Sequence, residues 1–149
     1  MNKPVWHIQT FHELSTSELY KILQVRADVF VVEQNCPYQD LDGSDEHAVH
    51  IRAEINGNIA AYCRIFAPGI KYDEASIGRV LTGTDYRRLK LGKSLMHIAI
   101  SAIETRYGTS QIRISAQDYL IRFYEEFGFG NTGKQYLEDH LPHTEMLRL

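Results

Sequence analysis

The chain has 149 residues, enough for one domain with a substantial core and too few for two. Sixteen basic against nineteen acidic side chains give a net charge of −3, which excludes the global basic field that holds a nucleic-acid backbone. Cys36 and Cys63 are too few for a disulfide framework and lack metal-site spacing, and with no signal-like leader between Met1 and His7 and no run of about eighteen apolar residues, a cytoplasmic protein with reduced thiols is expected.

Val5 to Phe11 is a short β-prone stretch. Ser15-Thr-Ser-Glu18 is a capping box, in which hydroxyl and carboxylate satisfy each other's free backbone N–H groups, and it opens a helix. Leu19, Ile22, Leu23, Val29 and Phe30 recur at helical spacing and predict its core face. Pro37, Asp40, Asp42, Gly43 and Ser44 then break the pattern. Asp40-Leu-Asp-Gly-Ser-Asp45 has some features of a calcium loop, but an EF-hand places glycine where Asp45 stands. The segment is expected to be a solvated acidic loop, or in a functional role to line an acceptor pocket and attract a cationic amine. His47 to Ile55 extends as a strand, Asn56-Gly57 is a hairpin turn, and Asn58 to Ala67 returns. In such a strand His47 and His50 fall on opposite faces, a poor metal pair.

Pro68-Gly69 marks the next break, and Ala75 to Thr82 is a strand feeding a polar turn and then a basic helix start. Leu91, Leu95, Ile98, Ala99, Ala102 and Ile103 give that helix one apolar stripe, which ends near Tyr107-Gly108. The free N–H groups of a first helical turn and the positive end of its dipole attract anions. Arg87, Arg88, Lys90 and Lys93 add cations there, so the preferred guest is a phosphate or pyrophosphate. Gly92-Lys93-Ser94 imitates a P-loop, but the required upstream glycine is Arg87, and no G-x-G-x-x-G occurs. Downstream, Ile112 to Gln117 is a strand, Asp118 to Phe129 carries a short helix, and two strands close the chain. Strands and helices interleave without a strict β-α repeat, which predicts an α/β (α+β) fold with a mixed central sheet and helices on both faces.

Arg87-Arg-Leu-Lys-Leu-Gly92 resembles the Arg-x-x-Gly-x-Gly pyrophosphate loop of the GCN5-related N-acetyltransferases (GNAT), with Lys90 at the first glycine. A strand, Phe123-Tyr124 on a short helix and Phe127-Gly-Phe129 follow in the family's order and at about its distance. Val31-Val-Glu-Gln-Asn-Cys-Pro-Tyr38, Asp40 to Asp45, Ala48-Val-His50 and Glu138-Asp-His-Leu-Pro-His143 are similar to the ElaA-like branch, so the resemblance spans nearly the whole chain. It implies one N-acetyltransferase domain over 1–149, acetyl-CoA as co-substrate and no metal. By that resemblance Val80, Leu81 and Thr82 meet the pantetheine arm and the thioester oxygen. The loop Arg87, Arg88, Leu89, Lys90, Leu91, Gly92 and Lys93 holds the pyrophosphate. Lys90 is compatible with this if its backbone takes ordinary helix-start angles, although its side chain narrows the approach. Gln117 either meets the pantetheine or caps the short helix.

Tyr124 matches the family's tyrosine that faces the CoA sulfur, where a phenol near pKa ~10 can protonate a thiolate near ~8–9. Spacing alone favours an aromatic core residue, in one apolar cluster with Phe123, Phe127 and Phe129, and the motif order reverses that reading. His50 has the ordinary pKa of a base for the amine proton. Glu33, Asp45, Glu46, His143 or a water chain are its alternatives. The expected activity is direct transfer, in a ternary complex, of an acetyl group from acetyl-CoA to a primary amine on a small molecule or peptide. No nucleic-acid or membrane partner is expected, and a β-edge near the carboxyl terminus would allow a homodimer. A non-catalytic acyl-CoA-binding or sensing module is the rival, motivated by Lys90 and the lack of an evident base.

Overall fold

The computed structural model describes residues 3–149. Its strands are β1 (Val5–Thr10), β2 (Val49–Ile55), β3 (Asn58–Phe66), β4 (Ala75–Thr82), β5 (Ile112–Gln117), β6 (Phe129–Glu138) and β7 (Leu141–Arg148), and its helices α1 (Thr16–Ala27), α2 (Leu91–Tyr107) and α3 (Ile121–Glu125). The strands form one mixed sheet in the order β1-β2-β3-β4-β5-β7-β6, antiparallel except for β4 against β5. No described helix is long and apolar enough to cross a membrane.

Local chemistry sets the boundaries that spacing predicts. Ser15 Oγ accepts from the Glu18 N–H at 3.1 Å and Glu18 Oε1 accepts from the Ser15 N–H at 2.8 Å, so the capping box is formed. Asn56 and Gly57 have φ of +53° and +80°, the paired left-handed conformation of a two-residue hairpin. Helix α2 stops at Gly108, whose φ of +67° lets its N–H turn back to the Glu104 carbonyl.

Alternation along β3 then packs the two faces of the sheet. Ala61, Cys63 and Ile65 meet Leu95, Met96, Ala99 and Ile103 of α2, while Tyr62 faces Ile22 of α1 together with Val29 and Leu81. Helices therefore cover both faces. Burying one such Leu or Ile side chain contributes roughly 1.5–3 kcal/mol, so the α2 stripe accounts for much of that layer's cohesion.

The acidic loop departs from expectation. Asp45 is 9% exposed, and its Oδ1 accepts from Arg26 Nη1 at 2.6 Å and Arg64 Nη1 at 2.8 Å. Asp40 accepts from Arg26 Nε at 2.9 Å and Arg79 Nε at 2.7 Å, while Asp42 pairs with Arg64 and, at 3.4 Å, with Lys71. Asp40 and Asp45 are consumed in internal ion pairs and Asp42 is paired at the surface, so none of the three is a free attractant for an amine. The pairing also shortens β2: residues 45–47 form a 3-10 turn, so the strand starts at Val49 and leaves His47 exposed.

Helix α1 runs on into a π-helical segment, Asp28–Glu33. The wider turn shifts the phase of the side chains that follow, which is why Val29 is fully buried and Phe30 only partly so.

Candidate functional site

Strands β4 and β5 pair only at Ala75 with Ile112 and Ser76 with Arg113, and then diverge. A bulge lies just beyond the split: Arg79 and Val80 together oppose Cys63 of β3, and Arg79 takes a left-handed φ of +52°. A bulge bends its strand and raises the local twist, which opens the sheet here. Arg79 is held in place by Asp40, through Nε to Oδ1 at 2.7 Å and Nη2 to the main-chain oxygen at 3.1 Å. The acidic loop thus helps to fix the opening. From Ile77 on, no strand among the described residues pairs with the β5-facing edge of β4.

The split forms a cleft with two chambers. They meet at Phe30, Gln34, Val80, Gln117, Leu120 and Tyr124. The larger, about 510 Å³, lies over the start of α2 and includes Leu81, Thr82, Arg87, Lys90, Leu91 and Gly92 in its wall. The smaller, about 100 Å³, opens toward Arg79, Ser115, Glu138 and His143. Most of the sequence-predicted cofactor residues therefore converge on one chamber. Arg88, Leu89 and Lys93 do not line it, and Lys93 Nζ lies 3.3 Å from Glu126 instead.

Among the described residues no side chain caps α2, in contrast to the capped α1, and its first turn carries no acidic residue of its own. Arg87 clasps both oxygens of Glu33 across the chamber, at 2.5 and 2.6 Å, and donates to the Thr82 carbonyl at 3.3 Å. The Arg87 guanidinium holds the Glu33 carboxyl below its usual range. Glu33 is thus committed to an ion pair.

Lys90 departs from the ordinary helix-start angles. With φ +54° and ψ +37° it is left-handed, a conformation that costs an L-residue about 1–2 kcal/mol and glycine nothing. Lys90→Gly is expected to stabilise the protein by about 1 kcal/mol and raise the melting temperature by about 2–4 °C, whereas Lys90→Ala, which keeps the strain, gains nothing. Thermal melts of the three proteins decide this.

Tyr124 is 6% exposed and lines both chambers. Its ring meets the edges of Phe123 at 5.2 Å and Phe129 at 6.0 Å, so the core role and the site role coincide in one side chain. Burial pushes its hydroxyl well above the ordinary range, which keeps the phenol protonated and able to donate. Among the described residues nothing hydrogen-bonds to that hydroxyl. Gln117 donates to Gln34 Oε1 at 3.3 Å, bridging the throat between the chambers.

His50 lies elsewhere. It is fully buried between Tyr62 Oη, 2.6 Å from Nδ1, and the Asp45 carbonyl, 3.0 Å from Nε2, and it borders neither chamber. Both ring nitrogens are occupied, and burial pushes its pKa down. The geometry makes it a tie between β2, β3 and the acidic loop. Of the alternatives, Asp45 is paired with two arginines, Glu46 is exposed outside both chambers, and His143 borders the smaller one. Sequence reasoning missed Gln34, Tyr119 and Phe123 as lining residues, and treated Phe30 only as helix core. The unbroken apolar run Val29-Phe-Val-Val32, too wide for a helical stripe, was the available signal for the π-helical turn.

Comparison with known proteins agrees with this geometry. Residues 16–148 match the family described as an acetyltransferase (GNAT) domain. Escherichia coli ElaA is 39% identical over 145 residues, covering 96% of this chain and 95% of that protein. Its crystal structure superposes with a TM-score of 0.91 over 99% of this chain and 100% of its own. An acyl-CoA N-acyltransferase from Pseudomonas aeruginosa superposes with a TM-score of 0.94 at 37% identity, again over 99% and 100% of the two chains. The chain belongs to the GNAT acetyltransferase family, in its ElaA-like branch.

Proposed function

From that family membership and this cleft, we propose that the protein transfers an acetyl group from acetyl-CoA to a primary amine by direct attack within a ternary complex. The observation that carries this is the early parting of β4 and β5, which joins an anion-ready chamber over α2 to a second chamber through a throat bordered by Tyr124. The α2 first turn, Arg87 and Lys90 take the pyrophosphate. The unpaired edge of β4 at Val80, Leu81 and Thr82 receives the pantetheine amides, and a main-chain N–H there stabilises the charge developing on the thioester oxygen. Tyr124 donates its proton to the departing sulfur. The acceptor enters from the smaller chamber, so that donor and amine meet at the throat without a covalent enzyme intermediate.

Two features favour the rival, a module that binds acyl-CoA without turnover: the strained Lys90 and the engagement of Arg87 by Glu33. Calorimetric titration with acetyl-CoA, paired with free-thiol release across a panel of primary amines, separates them. Micromolar binding with thiol release for at least one amine is the expected result. Binding with no release from any amine supports the rival, and no binding refutes both.

A further inference from the structure

We infer that His143, backed by Glu138, is the base that takes the proton from a cationic primary amine in the smaller chamber; this rests on the transferase activity proposed above. His143 is 5% exposed and sits in β7 directly opposite Gln117 of β5, the residue that borders both chambers. Its Nδ1–H donates to the Leu141 carbonyl at 2.8 Å. That bond places the lone pair of the neutral ring on Nε2. Nε2 makes no hydrogen bond among the described residues, and its neighbour is Glu138 Oε2 at 3.5 Å, an ion-pair distance that leaves the nitrogen open to a third group. The ring stacks on Tyr136 at 6.1 Å, which fixes its plane. His50, by contrast, has both nitrogens engaged.

The surrounding charges suit an ammonium. Glu138 and Tyr136 face the ring from β6, Asp139 from the adjoining turn, Tyr124 from α3, and the Asp40–Arg79 pair from across the chamber. Asp40 is shared between Arg79 at 2.7 Å and Arg26 at 2.9 Å, and with Glu138 and Asp139 it sets three carboxylates against one arginine in the chamber wall. Glu138 also extends to Ser115 Oγ at 3.5 Å, and its side chain is 49% exposed, which gives the proton an exit to water.

The step balances without a further reactant. Nε2 removes one proton from the ammonium, and the freed nitrogen lone pair forms the C–N bond to the thioester carbon as the C–S bond breaks. The second nitrogen proton compensates the one that Tyr124 gives to the thiolate. The proton on His143 leaves through Glu138 to solvent, and the products are the amide, free CoA and one released proton.

The test compares wild type, His143→Asn and Glu138→Gln, using acetyl-CoA with a lysine-containing peptide, 2-phenylethylamine and spermidine as acceptors, and following thiol release from pH 6 to about 10. Asparagine at 143 keeps a donor for the Leu141 carbonyl but has no base. Its kcat near neutrality is expected to fall about 100-fold, with acetyl-CoA affinity by calorimetry within about twofold of wild type. The rate of His143→Asn is expected to climb toward that of wild type as the pH approaches about 10, where a lysine-type amine deprotonates unaided. A merely structural role for His143 would not produce that rescue. A wild-type rate or pH profile in His143→Asn overturns the inference. Should His143→Asn fail to bind acetyl-CoA through misfolding, Glu138→Gln decides: with the proton exit gone its kcat near neutrality is expected to fall about tenfold, with acetyl-CoA affinity within about twofold of wild type, and an unchanged kcat overturns the inference. Failure of the wild type to release thiol with any acceptor refutes the transferase activity itself, an outcome in which neither variant plays a part.

Discussion

Asp45→Ala is expected to destabilise the protein by about 3–5 kcal/mol, lowering the melting temperature by about 6–20 °C. One oxygen of Asp45 accepts from both Arg26, which is fully buried, and Arg64, which is 2% exposed. Among the described residues Arg26 Nη2 and Arg64 Nε already lack hydrogen-bond partners, so removing the shared carboxylate leaves two guanidiniums short of both charge and hydrogen bonds. Asp45→Asn keeps an acceptor oxygen and is expected to fall between wild type and alanine. A melting temperature for Asp45→Ala within about 2 °C of wild type would show that the network adds little.

The same network sets the acid limit of stability. Burial by itself raises the Asp45 and Asp42 carboxyls, but hydrogen bonds and charge from Arg26 and Arg64 outweigh it and hold both below the usual range. Depressed carboxyls bind protons more readily in the unfolded chain. Their stabilisation is therefore fully present above the ordinary carboxylate pKa of about 4 and is lost as pH falls through the folded values. Melts between pH 7 and 3 should show a steeper acid loss in wild type than in Asp45→Ala, which no longer carries that titrating group.

Tyr124→Phe is the second large effect, and it lies in catalysis rather than in folding. The hydroxyl makes no internal hydrogen bond among the described residues, so phenylalanine keeps the ring contacts with Phe123 and Phe129 and should melt with wild type. With the proton donor for the leaving sulfur gone, kcat is expected to fall about 100-fold while acetyl-CoA affinity stays within about twofold. Thiol-release kinetics beside a calorimetric titration check both halves. A kcat within about threefold of wild type would mean that water, not Tyr124, protonates the thiolate.

The local elements were legible because their signals are local. The Ser15 box, the Asn56-Gly57 turn and the Gly108 stop each depend on bonds closed within a few residues, and β4 and β5 occupy the predicted spans. The candidate site was legible in outline because β4 runs directly into the Arg87 to Gly92 loop, while Tyr124, separated from it by α2 and β5, was placed by the resemblance of motif order. Spacing could not place Arg88 and Leu89 outside the chamber wall, since side-chain direction around a 3-10 turn depends on contacts, nor Lys93 of α2, which turns to Glu126.

By itself, the sequence determined the element order, the mixed sheet and the position of the anion-ready helix start, because periodicity, capping and turn chemistry act over short separations, and it pointed to the family through the resemblance of its motifs. Only the tertiary structure decided which charged groups face each other. It paired Asp40, Asp42 and Asp45 by bringing arginines from α1, β3 and β4 against them, and buried Asp45. It closed both nitrogens of His50, one of them by Tyr62 from the adjacent strand, and left Nε2 of His143 open beside Glu138. It put Lys90 in a left-handed conformation where the family's loop carries glycine. Such outcomes depend on distances between segments far apart in the chain, and pairing across those distances is the property that spacing along the chain does not encode.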